Sequence, residues 1–268
     1  MVVKRIGGNV MDEPLIQVHK HDSDTFILRQ SKSVHYEAPF MYLFRGSARA
    51  LLLDTGATEA AAEFPLRATV DGLIGDQELI VAHTHGHDDH VAGDPQFADR
   101  PGTTVVPRDV DAVRSYFGFS DWPTEIVTLD LGGRVLEIFG IPGHQTASIA
   151  VYDPHSGFLV TGDSVIPGRL YVFDYPAFQD SMDRLVAFAD SRPVRQVMGC
   201  HIEMTTTPGV DYPIGCTYQP DEAPLPMTVA QLTAVRDAVA SVADKPATPE
   251  QPAISVFDDF IIYHIVRS

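Results

Sequence analysis

The segment His83-Thr84-His85-Gly86-His87-Asp88-Asp89-His90 places four histidines and two aspartates in eight residues, directly after the apolar run Glu78 to Ala82. A short apolar run of this kind reads as a buried strand, so the polar cluster stands at a strand end. Imidazole nitrogen and carboxylate oxygen are the ligands zinc takes when thiolates are absent, and several of them converge in one loop when a cation neutralises and holds them. The plainer alternative is a solvated polar loop. Any fold for this chain has to accommodate one or the other at that strand end.

Three further strand ends carry one donor each beside a glycine: Pro142-Gly143-His144-Gln145-Thr146, Thr161-Gly162-Asp163 and Gly199-Cys200-His201. Singly, such residues are turn or cap residues or hydrogen-bonded structural histidines. Together with the cluster they point to one sheet edge at which all of them meet.

Apolar runs bounded by turn residues predict strands over Phe26 to Gln30, Phe40 to Arg45, Ala48 to Asp54, Glu78 to Ala82, Thr103 to Val106, Arg134 to Phe139, Ser148 to Tyr152, Phe158 to Thr161, Gln196 to Cys200 and Phe260 to Val266. The turn Asp153-Pro154-His155-Ser156-Gly157 joins two of them. Helices are expected over the Ala-rich stretch Thr58 to Val70, kinked or ended by Pro65, and over Asp109 to Phe117 and Asp180 to Ala189; a last helix is opened by the capping-box pattern Thr228-x-x-Gln231. Thr205 to Pro226 has no periodicity and is rich in Pro, Gly, Thr and Tyr, which predicts a long ordered loop with a covering or specificity role. Strand-rich halves each completed by helices suggest two packed sheets with helices outside. One domain over residues 1–268 is expected.

Composition narrows the functional classes. Lys and Arg total 19 against 36 Asp and Glu, a net charge of −17, and no basic run offsets it, so a nucleic-acid partner is not expected. No apolar stretch approaches the roughly 18 residues of a membrane span. The N-terminal segment lacks the apolar core and cleavage site of a secretory signal, so a cytoplasmic location is expected, where Cys200 and Cys216 stay thiols and read as small core residues. Nothing in the sequence sets an oligomeric state.

The stretch His85 to His90 has the form His-x-His-x-Asp-His, preceded by Thr84 and followed at a short interval by Gly93. In this the chain resembles the metallo-β-lactamase superfamily, specifically its dinuclear branch with hydroxyacylglutathione hydrolase (glyoxalase II) and the quorum-quenching lactonases. The resemblance spans roughly Tyr42 to His201 and implies an α+β fold, the αββα sandwich of two packed sheets with helices on both outer faces. It implies two metal ions, zinc in the first place with iron or manganese as alternatives. His85, His87 and His144 would hold one ion, Asp89, His90 and His201 the other, and Asp163 would bridge them. Asp54, in Leu52-Leu53-Asp54-Thr55-Gly56, matches the family's supporting aspartate, orienting a liganding histidine. The implied activity is hydrolysis of a small ester, thioester or lactone by a metal-bridging hydroxide, with Asp89 and Asp163 as catalytic ligands and a small molecule as the only partner.

The chain also departs from those relatives. Ile166 stands where the lactonases carry a tyrosine three residues after the bridging aspartate, and Tyr171 is the candidate nearby for a substrate-binding donor to the developing oxyanion. Glyoxalase II holds glutathione with basic residues near its C-terminus, where this chain has Arg236, Lys245 and Arg267 in a different pattern. His83 is expected to pack or to support the ligands, Asp88 to be solvated or to cap the next helix, and His19, His21, His35, His155 and His264 have no assigned role. Two alternatives have the same motif: a mononuclear iron persulfide dioxygenase using His85, His144 and Asp163, and a metal-binding module without turnover. The tRNA-maturing nucleases share it too, but acidity and the lack of a basic arm argue against them.

Overall fold

A computed structural model of the chain describes residues 13–266. Six strands form a first sheet in the order β1 (Ile16–Lys20), β2 (Thr25–Gln30), β3 (Phe40–Arg45), β4 (Arg49–Leu53), β5 (Glu78–Ala82) and β6 (Thr103–Val105). Pairing is antiparallel from β1 to β4 and parallel from β4 to β6. The second sheet contains β7 (Val127–Asp130), β8 (Val135–Gly140), β9 (Ile149–Asp153), β10 (Phe158–Gly162), β12 (Gln196–Gly199) and β13 (Pro226–Met227) in adjacent order, with β10 and β12 parallel. A small third sheet joins β11 (Arg169–Val172), β15 (Ile261–His264) and β14 (Ala253–Val256).

The period-2 geometry of a strand sorts its side chains into two layers. On β4, Leu51 and Leu53 enter the core between the sheets, where Ile80 of β5 and Ile138, Val151, Val160 and Met198 of the second sheet meet them. Ala50 and Leu52 face outward onto Leu66, Val70 and Ile74 of helix α1 (Leu66–Ile74). The outer face of the second sheet, with Phe139, Tyr152, Leu159 and Val197, is covered by α4 (Tyr175–Ser191) and α5 (Val229–Ser241). Both faces of the central strands are buried, which explains their nearly unbroken apolar sequence. The arrangement is the αββα sandwich. The shorter α2 (Asp88–Val91) and α3 (Val110–Phe117) follow β5 and β6 along the chain. Among the described residues no helix is long and apolar enough to cross a membrane.

The structure corrects the sequence reading at several places. The Ala-rich stretch from Thr58 does not make the helix; Pro65 stands at its N-cap and α1 runs beyond it, because proline is tolerated at a helix start and not inside. Helix α4 is longer than expected, starting from Asp174, whose side chain accepts the Ala177 N–H. Strands β1, β7, β11, β13 and β14 are not among those expected; they are short, and edge or small-sheet positions impose only a weak apolar pattern. Thr205 to Pro226 is the loop expected from the sequence, tied down by the isolated bridges Met204 to Asp211 and Thr205 to Glu222 until β13 begins at its end.

What this topology does for function is set by the two parallel pairs. Leu53 pairs with Ala82, and Gly162 with Gly199, so β4 and β5 end level with each other, as do β10 and β12. The residues that follow, Asp54, His83 to His90, Asp163 and His201, therefore leave the sandwich at one edge, the carboxyl ends of parallel strands where open α/β sheets carry their sites.

Candidate metal centre

At that edge the donor atoms fall into two groups, His85, His87 and His144 in one, and Asp89, His90, Asp163 and His201 in the other; within each group they lie within 4.8 Å of one another. All seven residues singled out in the sequence as donors are thus brought together. A third group within the same distance, Asp54, His90 and Cys200, lies directly behind the second.

The hydrogen bonds on the far side of the rings set which nitrogen faces the centre. Thr84 Oγ1 donates to Asp54 Oδ2 at 2.8 Å, so it accepts from His85 Nδ1 at 3.1 Å. His90 Nδ1 donates to Asp54 Oδ2 at 3.0 Å. His144 Nδ1 donates to the Tyr171 carbonyl at 2.8 Å, and His201 Nδ1 to the Glu37 carbonyl at 3.2 Å. Each of these four rings then turns its Nε2 inward. There His85 Nε2 and His144 Nε2 stand 3.1 and 3.0 Å from His87 Nδ1, and His201 Nε2 stands 3.3 Å from His90 Nε2. Imidazole nitrogens that face one another at such distances repel when both are bare or both protonated; a cation between bare ones converts the same geometry into coordination.

Asp163 sits between the groups. Its Oδ2 is 3.9 Å from both His85 Nε2 and His144 Nε2 and 3.5 Å from His90 Nε2, and its Oδ1 is 3.5 Å from His201 Nε2. Oδ1 is buried without a hydrogen-bond partner, an arrangement that costs free energy unless something else satisfies it. Asp89 Oδ2 lies 3.1 Å from the Nε2 atoms of both His90 and His201. Nitrogen and oxygen donors in this number, with Asp163 between the groups and one of its oxygens orphaned, fit the binding of divalent cations.

The electrostatics divide along the same line. Burial pushes His85 well below the ordinary histidine value, helped by neighbouring His90, and lowers His144 to about 4. Burial acts the same way on His90 and His201, but the surrounding carboxylates outweigh it: Asp89, Asp163 and Asp54 raise His90 well above the ordinary value, and Asp163 and Asp89 raise His201 to about 9. Burial would lift Asp89 and Asp163, yet the facing histidines hold both carboxyls below the usual carboxylate range. One group is therefore a nest of neutral acceptors, while the other sets two carboxylates against histidines that they hold protonated, charges a bound cation would replace.

Asp54 organises the layer behind. Fully buried at the end of β4 with φ +70°, it accepts from Thr84 N at 2.7 Å, Thr84 Oγ1, His90 Nδ1 and, at 3.3 Å, Cys200 Sγ. The left-handed backbone, which Asp tolerates better than most side chains, turns the carboxylate back beneath the donors. Gly162 is needed nearby: at φ +56°, a Cβ there would meet Thr84 Cβ at 2.8 Å and displace the residue that anchors His85. His83 Nε2 bonds Asp94 Oδ1 at 2.8 Å and takes no part in either group. Asp88 is the first residue of α2 rather than its cap, exposed and paired with Arg108 at 3.0 Å. Cys216 is only half-buried, so its reading as a core residue is corrected, while Cys200 is fully buried.

A cavity of about 310 Å³ opens onto the donors. Tyr171 lines it, as do Phe173 and Ile166, and so do Glu37, Arg169 and Glu203, which had no signal in the sequence. Burial and the neighbouring Glu203 push the Tyr171 hydroxyl up to about 12, so it keeps its proton at neutral pH.

Comparison with known proteins agrees with this geometry. A family model described as the metallo-beta-lactamase superfamily matches residues 37–201. A hydroxyacylglutathione hydrolase of Erythrobacter litoralis is 26% identical over 176 residues, 63% of this chain and 63% of that protein. Human acyl-coenzyme A thioesterase MBLAC2 is 26% identical over 203 residues, 60% of this chain and 72% of its own. The chain spans less than two thirds of the length of the hydroxyacylglutathione hydrolase. The solved structure of a metallo-beta-lactamase from Pontibacter korlensis superposes with a TM-score of 0.58 at 19% identity, covering 84% of this chain and 99% of the other, a likeness of fold.

Proposed function

The chain belongs to the metallo-beta-lactamase superfamily, and from that premise we propose that it is a hydrolase of small acyl substrates, esters, thioesters or lactones, working with two divalent metal ions, zinc in the first place. The observation that carries this reading is the set of inward-facing histidine nitrogens whose partner N–H groups are tied outward, with the Asp163 carboxylate between them and one of its oxygens unpartnered. His85, His87 and His144 would hold one ion, Asp89, His90 and His201 the other, and Asp163 would be shared. When bound, such ions supply Lewis acidity, lowering the pKa of solvent toward neutrality and drawing electron density from an acyl carbonyl. The similarity to a glutathione thioester hydrolase and an acyl-coenzyme A thioesterase supports acyl transfer to water over other chemistries.

The chain's own residues supply the rest. The cavity holds a small acyl group against Phe173 and Ile166, excluding bulk water on one side. Tyr171 lines the cavity, and its hydroxyl, still protonated at neutral pH, would donate toward oxygen that gains charge as the carbonyl becomes tetrahedral. Tyr171→Phe is expected to lower kcat by about 10²–10³-fold with metal content unchanged; kcat within a factor of two of wild type removes that role.

Asp54 acts by holding His90 and Thr84. Four donors converge on its two oxygens, so Asp54→Asn, which keeps the size and the tolerance for positive φ, turns an amide N–H toward at least one of them. Affinity for the divalent ion is expected to fall about 10–100-fold, read by competition with a chromophoric chelator. Elemental analysis of the purified protein, followed by ester, thioester and lactone hydrolysis, tests the whole reading: close to two metal ions per chain with turnover supports it. A single iron with oxygen consumption, or an occupied site inert toward the whole panel, overturns it.

A further inference from the structure

We propose, resting on the hydrolase reading above, that the cavity selects substrates whose leaving group is neutral or cationic and disfavours the carboxylate- and phosphate-bearing thiols that carry acyl groups as glutathione and coenzyme A thioesters. The donors at the cavity floor engage the acyl carbonyl. The remainder of a substrate lies against the other walls, and there the charge is negative.

Among the described residues the cavity's non-donor charges are Glu37, Glu203 and a single cation, Arg169. Arg169 is buried and committed: Nη1 lies 2.9 Å from Glu203 Oε1, Nη2 lies 2.5 Å from Asp211 Oδ2, and Nη2 also donates to the Tyr212 carbonyl. Two carboxylates on one guanidinium leave that cluster with a net negative charge. An adjoining cavity of about 250 Å³ shares His144 and Phe173 with the first and adds the exposed Asp174, again without a cation. Lys32 lies in a small neighbouring recess that shares Glu37, Arg169, His201 and Glu203 with the first cavity, and its amine is held by the Tyr36 carbonyl at 3.0 Å. It lines neither of these cavities. A carboxylate or phosphate entering here would be desolvated beside like charges with no free partner, whereas an ammonium group would find Glu37 and Asp174. The net charge of −17 adds long-range repulsion of polyanions.

Three acetyl thioesters of similar size test this on the metal-loaded protein at low salt: S-acetylthiocholine (cationic), N-acetyl-S-acetylcysteamine (neutral) and S-acetyl-3-mercaptopropionate (anionic). The expected kcat/KM order is cation, neutral, anion, with about tenfold per step, and the spread narrows as ionic strength passes about 0.15 M. Glu37→Lys and Glu203→Gln each shift the cation-to-anion ratio toward the anion, a ratio that does not depend on basal activity. An anionic probe turned over as well as the cationic one overturns the selection while leaving the hydrolase reading intact. Absence of turnover for all three counts against the hydrolase; calorimetric binding of the same cationic and anionic probes to the metal-loaded protein then still reads the charge order, and equal affinity overturns the selection.

Discussion

Replacing Asp163 by asparagine is expected to reduce turnover by about a thousandfold or more and to weaken divalent-metal binding by about two orders of magnitude. The change keeps the volume and planarity of the side chain, so the packing of β10 and the turn after it stays as it is. What disappears is the negative charge that lies 3.5 to 3.9 Å from four histidine nitrogens drawn from both donor groups. Those nitrogens belong to both groups, so the loss is expected to fall on both at once rather than on one. Metal content by elemental analysis and kcat on the best thioester are the two measurements. Wild-type metal content together with wild-type turnover in Asp163→Asn would remove Asp163 from the centre. Far-ultraviolet circular dichroism and thermal unfolding separate that outcome from a folding defect.

The largest effect on stability is expected away from the site, at the buried pair that ties the two sheets together. Arg134 is nearly buried and Asp153 fully so. The guanidinium donates from Nε to Asp153 Oδ1 at 3.1 Å and from Nη2 to Oδ2 at 2.5 Å, and it also reaches across to Thr25 Oγ1 and the carbonyls of Asp24 and Arg45 in the first sheet. Arg134→Met leaves the carboxylate and those acceptors buried without their cation, at a cost of about 3–5 kcal/mol measured by urea unfolding near neutral pH. A cost under about 1 kcal/mol would show that the pair is dispensable.

The pH dependence follows from the same carboxyl. Burial would raise Asp153, but Arg134 and Ser156 outweigh it and hold the carboxyl below the usual range. A folded-state value depressed below the unfolded one gives stability that is complete above the unfolded value, about 3.9, and is lost as pH falls through the folded value. The difference between wild type and Arg134→Met is therefore constant above about pH 5 and shrinks in acid. Asp153→Asn/Arg134→Met, which removes both charges, is expected to recover part of the loss.

How far the fold and the site could be read in advance depended on the kind of signal each residue leaves. Strands β2 to β5, β9, β10 and β12 are buried on both faces, so their apolar runs show in the sequence with little noise. Helix α1 was displaced in the sequence reading because alanine content suggests a helix while a single proline decides where it starts. The third sheet was largely missed: Arg169–Val172 and Ala253–Val256 are four residues each, too short for a periodic pattern to rise above chance. The seven donors were legible because the chemistry restricts them to His and Asp and the strand ends place glycine beside them.

The order of residues alone determined the sandwich and the identity of its donors, since burial on two faces and a run of imidazole and carboxylate groups each demand specific side chains. Only the tertiary structure decided which ring nitrogen faces the centre and what charge surrounds the substrate. The acceptors that orient His144 and His201 are the backbone carbonyls of Tyr171 and Glu37, and every residue type has a carbonyl. Glu37, Arg169 and Glu203 come from three separate segments, and their net charge exists only where chain folding makes them neighbours.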